Sequence, residues 1–155
     1  MTTRDVMAKA MTGPIRFRVY GDPATQGSKR AFIPKGQTRA VIVDDNKPKL
    51  RNWRGDVRDA ASAAYDGSLL TGPLRLDMTF YLPRPKSQTK AEQSNWWHYK
   101  KPDTSKLVRA VEDALKLVLW QDDAQIAELS ASKIYAGETQ RPGVKVEVYV
   151  LKGEA

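Results

Sequence analysis

The chain has no cysteine and only one histidine among its 155 residues. Without cysteine, the protein can form no disulfide, hold no cysteine-type structural zinc and perform no thiol chemistry. A single histidine, His98, excludes a histidine-rich metal site and any mechanism that needs two histidines. No apolar run approaches the roughly 20 residues that a membrane-spanning helix requires, and residues 1–13 lack the apolar stretch of a secretory signal peptide. We expect a cytoplasmic protein with a flexible N-terminal lead, residues 1–13, and one domain, residues 14–152.

Negative charge is scarce in the first two thirds of the chain. Residues 1–101 hold 19 Lys and Arg against 9 Asp and Glu, whereas residues 102–155 hold 7 against 9. Basic patches attract phosphate backbones, so the first part predicts a polyanionic partner. A merely solubilising surface is the alternative, and the gathering of acids in one segment weakens it. Carboxylates gathered in this way suit a hard divalent cation such as Mg²⁺.

Apolar periodicity predicts alternating strands and helices. Predicted strands lie in residues 15–20, 40–43, 74–82, 125–135 and 144–150, and predicted helices in residues 50–65 and 105–119. The resulting order, β-β-α-β-α-β-β, predicts an α+β domain with a mixed sheet packed by two helices.

A long polar loop, residues 83–101, interrupts this regularity. It interleaves basic residues with Trp96 and Trp97. Loops of this length in compact domains are usually functional or disordered. Aromatic rings can stack on unpaired bases while cations meet phosphates, so the loop suits nucleic acid. The alternative is that the two tryptophans pack on the protein or on a partner subunit, and both interpretations can hold together.

Carboxylates flank the second predicted helix, with Asp103 before it and Asp122-Asp123 after it. Alone, an Asp before a helix is most often a cap for its free N–H groups, and an Asp-Asp pair is often a turn. Together, with Pro102 fixing the start of the helix, they form a more specific pattern. In a basic protein this pattern predicts a metal-dependent nuclease.

The same segment resembles a known family. The residues Lys101-Pro102-Asp103, Leu107, Arg109-Ala110-Val111, Asp113-Ala114-Leu115, Trp120 and Asp122-Asp123-Ala124-Gln125-Ile126 resemble the RusA family of Holliday junction resolvases, many of them phage-encoded. The resemblance is clearest over residues 101–126 and extends weakly to the first strand, to residues 27–32 and to the last strands. It implies a homodimeric endonuclease of recombination and repair that cuts branched, four-way DNA. It also implies Mg²⁺, with Mn²⁺ as a substitute, and the host cytoplasm for a phage-encoded member.

Carried over residue by residue, the resemblance implies catalytic roles for Asp103, Asp123 and Arg109, with Asp122 as a further metal ligand. One departure matters, because Ser105 stands where the family has a second aspartate. Lys106 also stands where an asparagine is common. Ser105 adds no negative charge. Either metal affinity falls, or a neighbouring acid (Asp122, Glu112 or Asp113) compensates, or the protein binds junctions without cutting them efficiently. The expected DNA contacts are Lys29, Arg30, Arg54, Arg58, Lys100, Lys101, Trp96 and Trp97.

Helix geometry sets a further condition on the site. A helix over residues 105–119 is roughly 20 Å long, so Asp103 and Asp123 would lie at its opposite ends. Two such helices packed antiparallel across a two-fold axis would form two composite sites per dimer. The rival is a chain that bends back sharply around residues 116–121 and closes the site internally. Two other functions stay open: a non-catalytic dimer that binds branched DNA, and a basic module that binds RNA or a protein.

Overall fold

Six strands and three helices make up the part of the chain that the structure, a computed structural model, describes: residues 11–27, 29–44 and 47–152. The strands are β1 (Met11–Tyr20), β2 (Lys29–Phe32), β3 (Val41–Asp44), β4 (Leu74–Leu82), β5 (Ile126–Tyr135) and β6 (Gly143–Leu151). The helices are α1 (Lys47–Ala64), α2 (Lys90–Gln93) and α3 (Thr104–Leu115), and Asp123–Gln125 forms a 3₁₀ turn before β5. None of the described helices is both long enough and apolar enough to cross a membrane.

Four strands form one mixed sheet in the order β1-β6-β4-β5. β6 runs antiparallel to both β1 and β4, whereas β5 runs parallel to β4. A parallel neighbour needs a crossover connection, and the long segment that contains α2 and α3 provides it. The predicted fold class, a mixed sheet packed by helices, is confirmed.

The core lies between this sheet and helices α1 and α3. Alternate residues of β4 and β6 point toward the helices, as the period of two in a strand requires. The sheet contributes Leu74, Leu76, Met78, Phe80, Val144, Val146 and Val148, and the helices contribute Trp53, Val57, Ala61, Leu107, Val111 and Ala114, all buried. Each large side chain stabilises the fold by about 1.5–3 kcal/mol through burial. The core therefore fixes α3 beside β5, where the acidic motif lies.

The second helix of the prediction is shorter than expected. α3 ends at Leu115, not near residue 119. Leu117 adopts a left-handed backbone with φ of 66°, and its N–H donates to the carbonyl of Trp120 at 2.6 Å. This turn reverses the chain and places Leu119 and Trp120 in the core, fully buried. The chain therefore does bend back sharply around residues 116–121.

Two further elements differ from the prediction. Residues 29–32, where no strand was predicted, form β2, which pairs with β3 as a separate two-stranded sheet. The long loop contains α2, whose Thr89 and Glu92 form a reciprocal capping box. Of the expected lead, residues 1–10 lie outside the described residues, and β1 already begins at Met11.

Candidate functional site

Asp103 occupies the N-cap position of α3 without acting as a cap. Its backbone is extended, with φ of −69° and ψ of 135°, but its side chain makes no capping hydrogen bond. The carboxylate is 61% exposed and lies 3.8 Å from Nζ of Lys106. An exposed ion pair of this kind contributes little stability. The Asp103 carboxylate is therefore available to a ligand, unlike that of an ordinary capping residue.

Lys133 of β5 fixes the backbone that leads into Asp103. Its Nζ donates to the carbonyl of Lys100 at 2.6 Å and to that of Pro102 at 2.7 Å. Burial lowers the pKa of Lys133, and the negative charge of Asp103 opposes that shift. The position of Asp103 is thus tied to the far end of β5 and not only to α3.

Asp123 is held by a buried tryptophan at the other end of α3. Nε1 of Trp120 donates to Oδ1 of Asp123 at 2.8 Å, and Trp120 is completely buried. A rigid donor of this kind orients a carboxylate and leaves its second oxygen for a ligand. Asp122 has a different task, because its Oδ1 accepts from the N–H of Ala124 at 2.9 Å and caps the 3₁₀ turn. The role of Asp122 as a metal ligand stays a prediction.

Glu112 of α3 is one of the three acids that could compensate for Ser105. Burial raises its pKa, and the carboxylates of Asp123 and Asp113 raise it further, while Arg109 opposes them. The helical spacing of Glu112 from Ser105 and Arg109 was visible in the sequence. The effect of Asp123 on Glu112 depends on the chain reversal at Leu117, which the sequence pattern left open as an alternative.

A groove of about 420 Å³ runs between α3 and β5. Its lining consists of Thr104, Ser105, Val108, Arg109, Glu112, Leu129 and Ala131. α3 is about 18 Å long, and β5 lies beside it in the opposite direction. Asp103 therefore lies at the end marked by Lys133, and Asp123 lies at the end marked by Glu112. Among the described residues of one chain, no three acids or histidines are arranged to hold a metal.

Arg109 contacts the loop that leads to β2. The N–H of Gln26 donates to the carbonyl of Lys106 at 3.0 Å, which docks this loop on α3. Gly27 has a φ of +86°, and a Cβ there would lie 3.2 Å from Nη1 of Arg109. Glycine thus permits both the turn and the close approach of the guanidinium. Lys29 and Arg30 follow directly on β2, and their side chains lie outside the described part of the structure.

The expected DNA contacts on α1 and near the start of α3 differ in exposure. Arg58 is exposed on α1, whereas Arg54 is partly buried and its Nε has no hydrogen-bond partner among the described residues. Lys101 is exposed, and Lys100 is exposed with its Nζ 3.7 Å from Glu92. Four of these basic groups therefore lie on α1 and on the segment before Asp103.

Trp96 and Trp97 lie on an ordered part of the long loop. They are 63% and 52% exposed, and their ring centroids are 5.6 Å apart. Arg84 holds the loop by donating to the side chain of Gln88 and to the carbonyls of Glu92 and Asn95. Two large exposed rings on a fixed segment are suited to stacking on bases or on a partner.

Two comparisons with known proteins bear on this site. The family model described as "Endodeoxyribonuclease RusA" matches residues 23–149, which include α3, the 3₁₀ turn and most of the sheet. A protein of Bacillus subtilis (strain 168), named "Uncharacterized protein YqaN", is 34% identical over 141 residues. That match covers 86% of this chain and 94% of the relative.

Proposed function

The chain belongs to the RusA family of endodeoxyribonucleases, and we propose that it is a Mg²⁺-dependent homodimer that resolves four-way DNA junctions by paired cuts. The observation that carries this proposal is the state of the two aspartates of the motif. Asp103 leaves its carboxylate exposed at a helix start, and Trp120 holds one oxygen of Asp123 and leaves the other. Each of the two aspartates therefore keeps a carboxylate oxygen that is available to a ligand.

The donor set fits a hard cation. Asp103, Asp123 and Glu112 offer only oxygen ligands, which Mg²⁺ and Mn²⁺ accept. Glu112 supplies the negative charge that Ser105 lacks. The charge of Asp123 helps to raise the pKa of Glu112, whereas the carboxylate of Asp122 is engaged in capping the 3₁₀ turn, and both facts support Glu112 over Asp122. Bound Mg²⁺ would polarise the phosphate of the substrate and lower the pKa of a water molecule.

Basic side chains of the protein itself act on the phosphate of the DNA. The guanidinium of Arg109 lies in the groove between the two ends of the site and is backed by the Gly27 turn. A planar guanidinium can bind a phosphate through two parallel hydrogen bonds and stabilise the charge that develops during cleavage. Lys100, Lys101 and the basic residues of α1 and β2 follow the DNA arms, and the two loop tryptophans stack on bases exposed at the branch.

Two subunits suit this chemistry. Asp103 and Glu112 are nine residues apart on the helix, or about 14 Å, and Asp123 lies at the Glu112 end. A site shared between two subunits would bring Asp103 of one subunit together with Glu112 and Asp123 of the other. A four-way junction is itself close to two-fold symmetric, so an enzyme with two symmetric sites can cut two opposed strands.

The test is cleavage of an end-labelled four-way junction by wild-type protein, Asp123→Asn and Asp66→Asn. Asp66 is an exposed aspartate in the turn after α1 and serves as the matched control. We expect paired nicks that require Mg²⁺ or Mn²⁺, at least a 10²-fold loss in Asp123→Asn, and no loss in Asp66→Asn. Nicks that persist in chelator or in Asp123→Asn would refute the proposed site. Tight junction binding without cleavage, whatever the divalent ion, would instead establish a DNA-binding dimer in which Ser105 has ended catalysis.

A further inference from the structure

A second cavity, of about 400 Å³, lies beside the segment that leads into Asp103. Lys101 and Pro102 line this pocket, whereas Thr104 and Ser105 line the groove between α3 and β5. The pocket and the groove have no lining residue in common. The pocket is therefore a separate feature that the proposed cleavage site does not use.

The walls of the pocket are apolar and rigid. They consist of four prolines and two buried aliphatic residues, namely Pro23, Pro83, Pro85, Pro102, Ala24 and Leu82. Because the ring of proline fixes its backbone φ, such walls have little freedom to collapse into the space between them. An open apolar pocket of this kind can accept a flat ring without first having to form.

Hydrogen bonds hold the wall of residues 22–25 at both of its ends. The N–H of Gly21 donates to the carbonyl of Pro142 at 3.1 Å. The N–H of Gln26 donates to the carbonyl of Lys106 at 3.0 Å. The facing wall begins at the end of β4, a central strand of the main sheet. The pocket is thus part of the framework that also carries α3.

The rim of the pocket is basic. Asp22 and Lys49 both line it and form an ion pair of 3.1 Å, so their charges cancel. Burial and the charge of Lys133 lower the pKa of His98, which also lines the pocket and is therefore neutral at pH 7. Lys101 is exposed and forms no ion pair with any residue that the structure describes. The rim thus presents one uncompensated positive charge, which attracts an anion.

Apolar walls below a cationic rim suit a nucleotide. A nucleobase has flat faces that pack on apolar groups, and its phosphate requires a cation. A bare phosphate would need no apolar walls, and an apolar peptide would need no cation. The volume lies toward the lower end of the roughly 300–1,000 Å³ of small-molecule pockets. It therefore suits a single nucleotide and not a paired duplex.

We propose that this pocket binds one unstacked nucleotide of the DNA strand whose phosphate lies at Asp103. The identity of that strand rests on the nuclease function proposed above, whereas the affinity of the pocket for a nucleotide does not. The base packs between the proline walls, and Lys101 contacts the phosphate. Lys101 and Asp103 are two residues apart, at most about 7 Å of chain, so the neighbouring phosphate reaches Asp103. Holding one base in this way fixes which phosphate lies at the cleavage site.

The first experiment uses 2-aminopurine, a base whose emission is quenched by stacking and rises when the base leaves the stack. The probe is placed in turn at each position beside the branch of a four-way junction. Wild-type protein, in chelator so that the strands stay intact, should raise the emission several-fold at one position. Pro85→Phe and Lys49→Phe fill the pocket from different walls, and each should abolish the rise.

Two matched variants control for side effects of these changes. Pro85→Ala also removes the proline but leaves the pocket open. Arg51→Phe removes the same charge from α1 at an exposed position that does not line the pocket. Both should keep the rise. No rise at any position would overturn the assignment, as would a rise that the filled variants keep and that Trp96→Ala or Trp97→Ala abolishes.

The second experiment needs neither a variant nor cleavage. Isotope-labelled wild-type protein is titrated with deoxyadenosine monophosphate, and the amide signals of Ala24, Leu82 and His98 should shift. Inorganic phosphate at the same concentration should leave Ala24 and Leu82 unshifted. Equal shifts with phosphate, or no shifts with the nucleotide, would overturn the assignment. If the nucleotide shifts appear but the protein neither binds nor cuts a junction, the proposed function fails and the nucleotide pocket stands.

Discussion

Trp120→Phe isolates the contact that orients Asp123. Trp120 is completely buried, and Nε1 donates to Oδ1 of Asp123 at 2.8 Å. Phenylalanine keeps most of the apolar contacts of the ring and has no donor. The substitution therefore changes two things, the volume that fills the core and the hydrogen bond that holds the carboxylate.

Trp53→Phe separates these two effects. Trp53 is also buried, at 2% exposure, but its Nε1 has no hydrogen-bond partner among the described residues. Both variants lose the same atoms, so the cavity contribution is similar in each. Trp120→Phe additionally loses a hydrogen bond to a charged acceptor, about 1.5 kcal/mol. Trp53→Phe instead removes a buried unsatisfied donor, which offsets its loss by about 1 kcal/mol.

We therefore expect Trp120→Phe to lower the free energy of unfolding by about 2.5 kcal/mol more than Trp53→Phe. In a domain of this size that difference is about 5–10 °C in Tm. Urea and thermal unfolding at pH 7 measure it. Junction cleavage should fall about 10–100-fold in Trp120→Phe and little in Trp53→Phe. Equal destabilisation of the two variants, or full activity in Trp120→Phe, would refute the assigned role of the hydrogen bond.

Three further predictions concern charge and the long loop. Burial and nearby carboxylates raise the pKa of Glu112, so its ionisation opposes folding above its ordinary value of 4.5. Glu112→Gln should therefore raise Tm at pH 7.5, leave it unchanged at pH 4, and weaken Mg²⁺ binding measured by calorimetry. A hydrogen bond from Tyr149 lowers the pKa of Glu147, which stabilises the fold above pH 4.5 and is lost as the pH falls through the folded pKa. Tyr149→Phe should then cost about 1 kcal/mol at pH 7, and this cost should shrink as the pH falls through the folded pKa of Glu147. Arg84→Lys cannot reproduce three hydrogen bonds, so it should cost about 2 kcal/mol and shift tryptophan emission to the red, whereas exposed Arg51→Lys should do neither.

Periodicity predicted the main sheet and its two long helices because those elements bury one face. Burial alternates along most of β4 and β6, and their inward residues are almost fully buried. The end of α3 could not be predicted in the same way. Leu117, Val118 and Leu119 continue the apolar pattern of a helix, and only the packing of Leu119 and Trp120 into the core after the reversal explains why the helix stops.

The short elements were missed for a different reason. β2 has four residues and, in the described part of the chain, pairs with β3. Ala31 and Phe32 are exposed, so burial of these two residues imposes no pattern on the sequence. The long loop is ordered by Arg84, whose partners lie four, eight and eleven residues away. The composition of the loop shows that it is polar. It does not show which side chain joins the parts of the loop.

The motif around Asp103 and Asp123 is local in sequence, yet the two carboxylates owe their positions to distant parts of the fold. Lys133, thirty residues after Asp103, anchors the backbone before it, and a core tryptophan anchors Asp123. Both anchors belong to β5 or to the segment that leads into it. The motif shows only how the acids are spaced along the chain, whereas the contacts that position each carboxylate come from residues that no local pattern links to it.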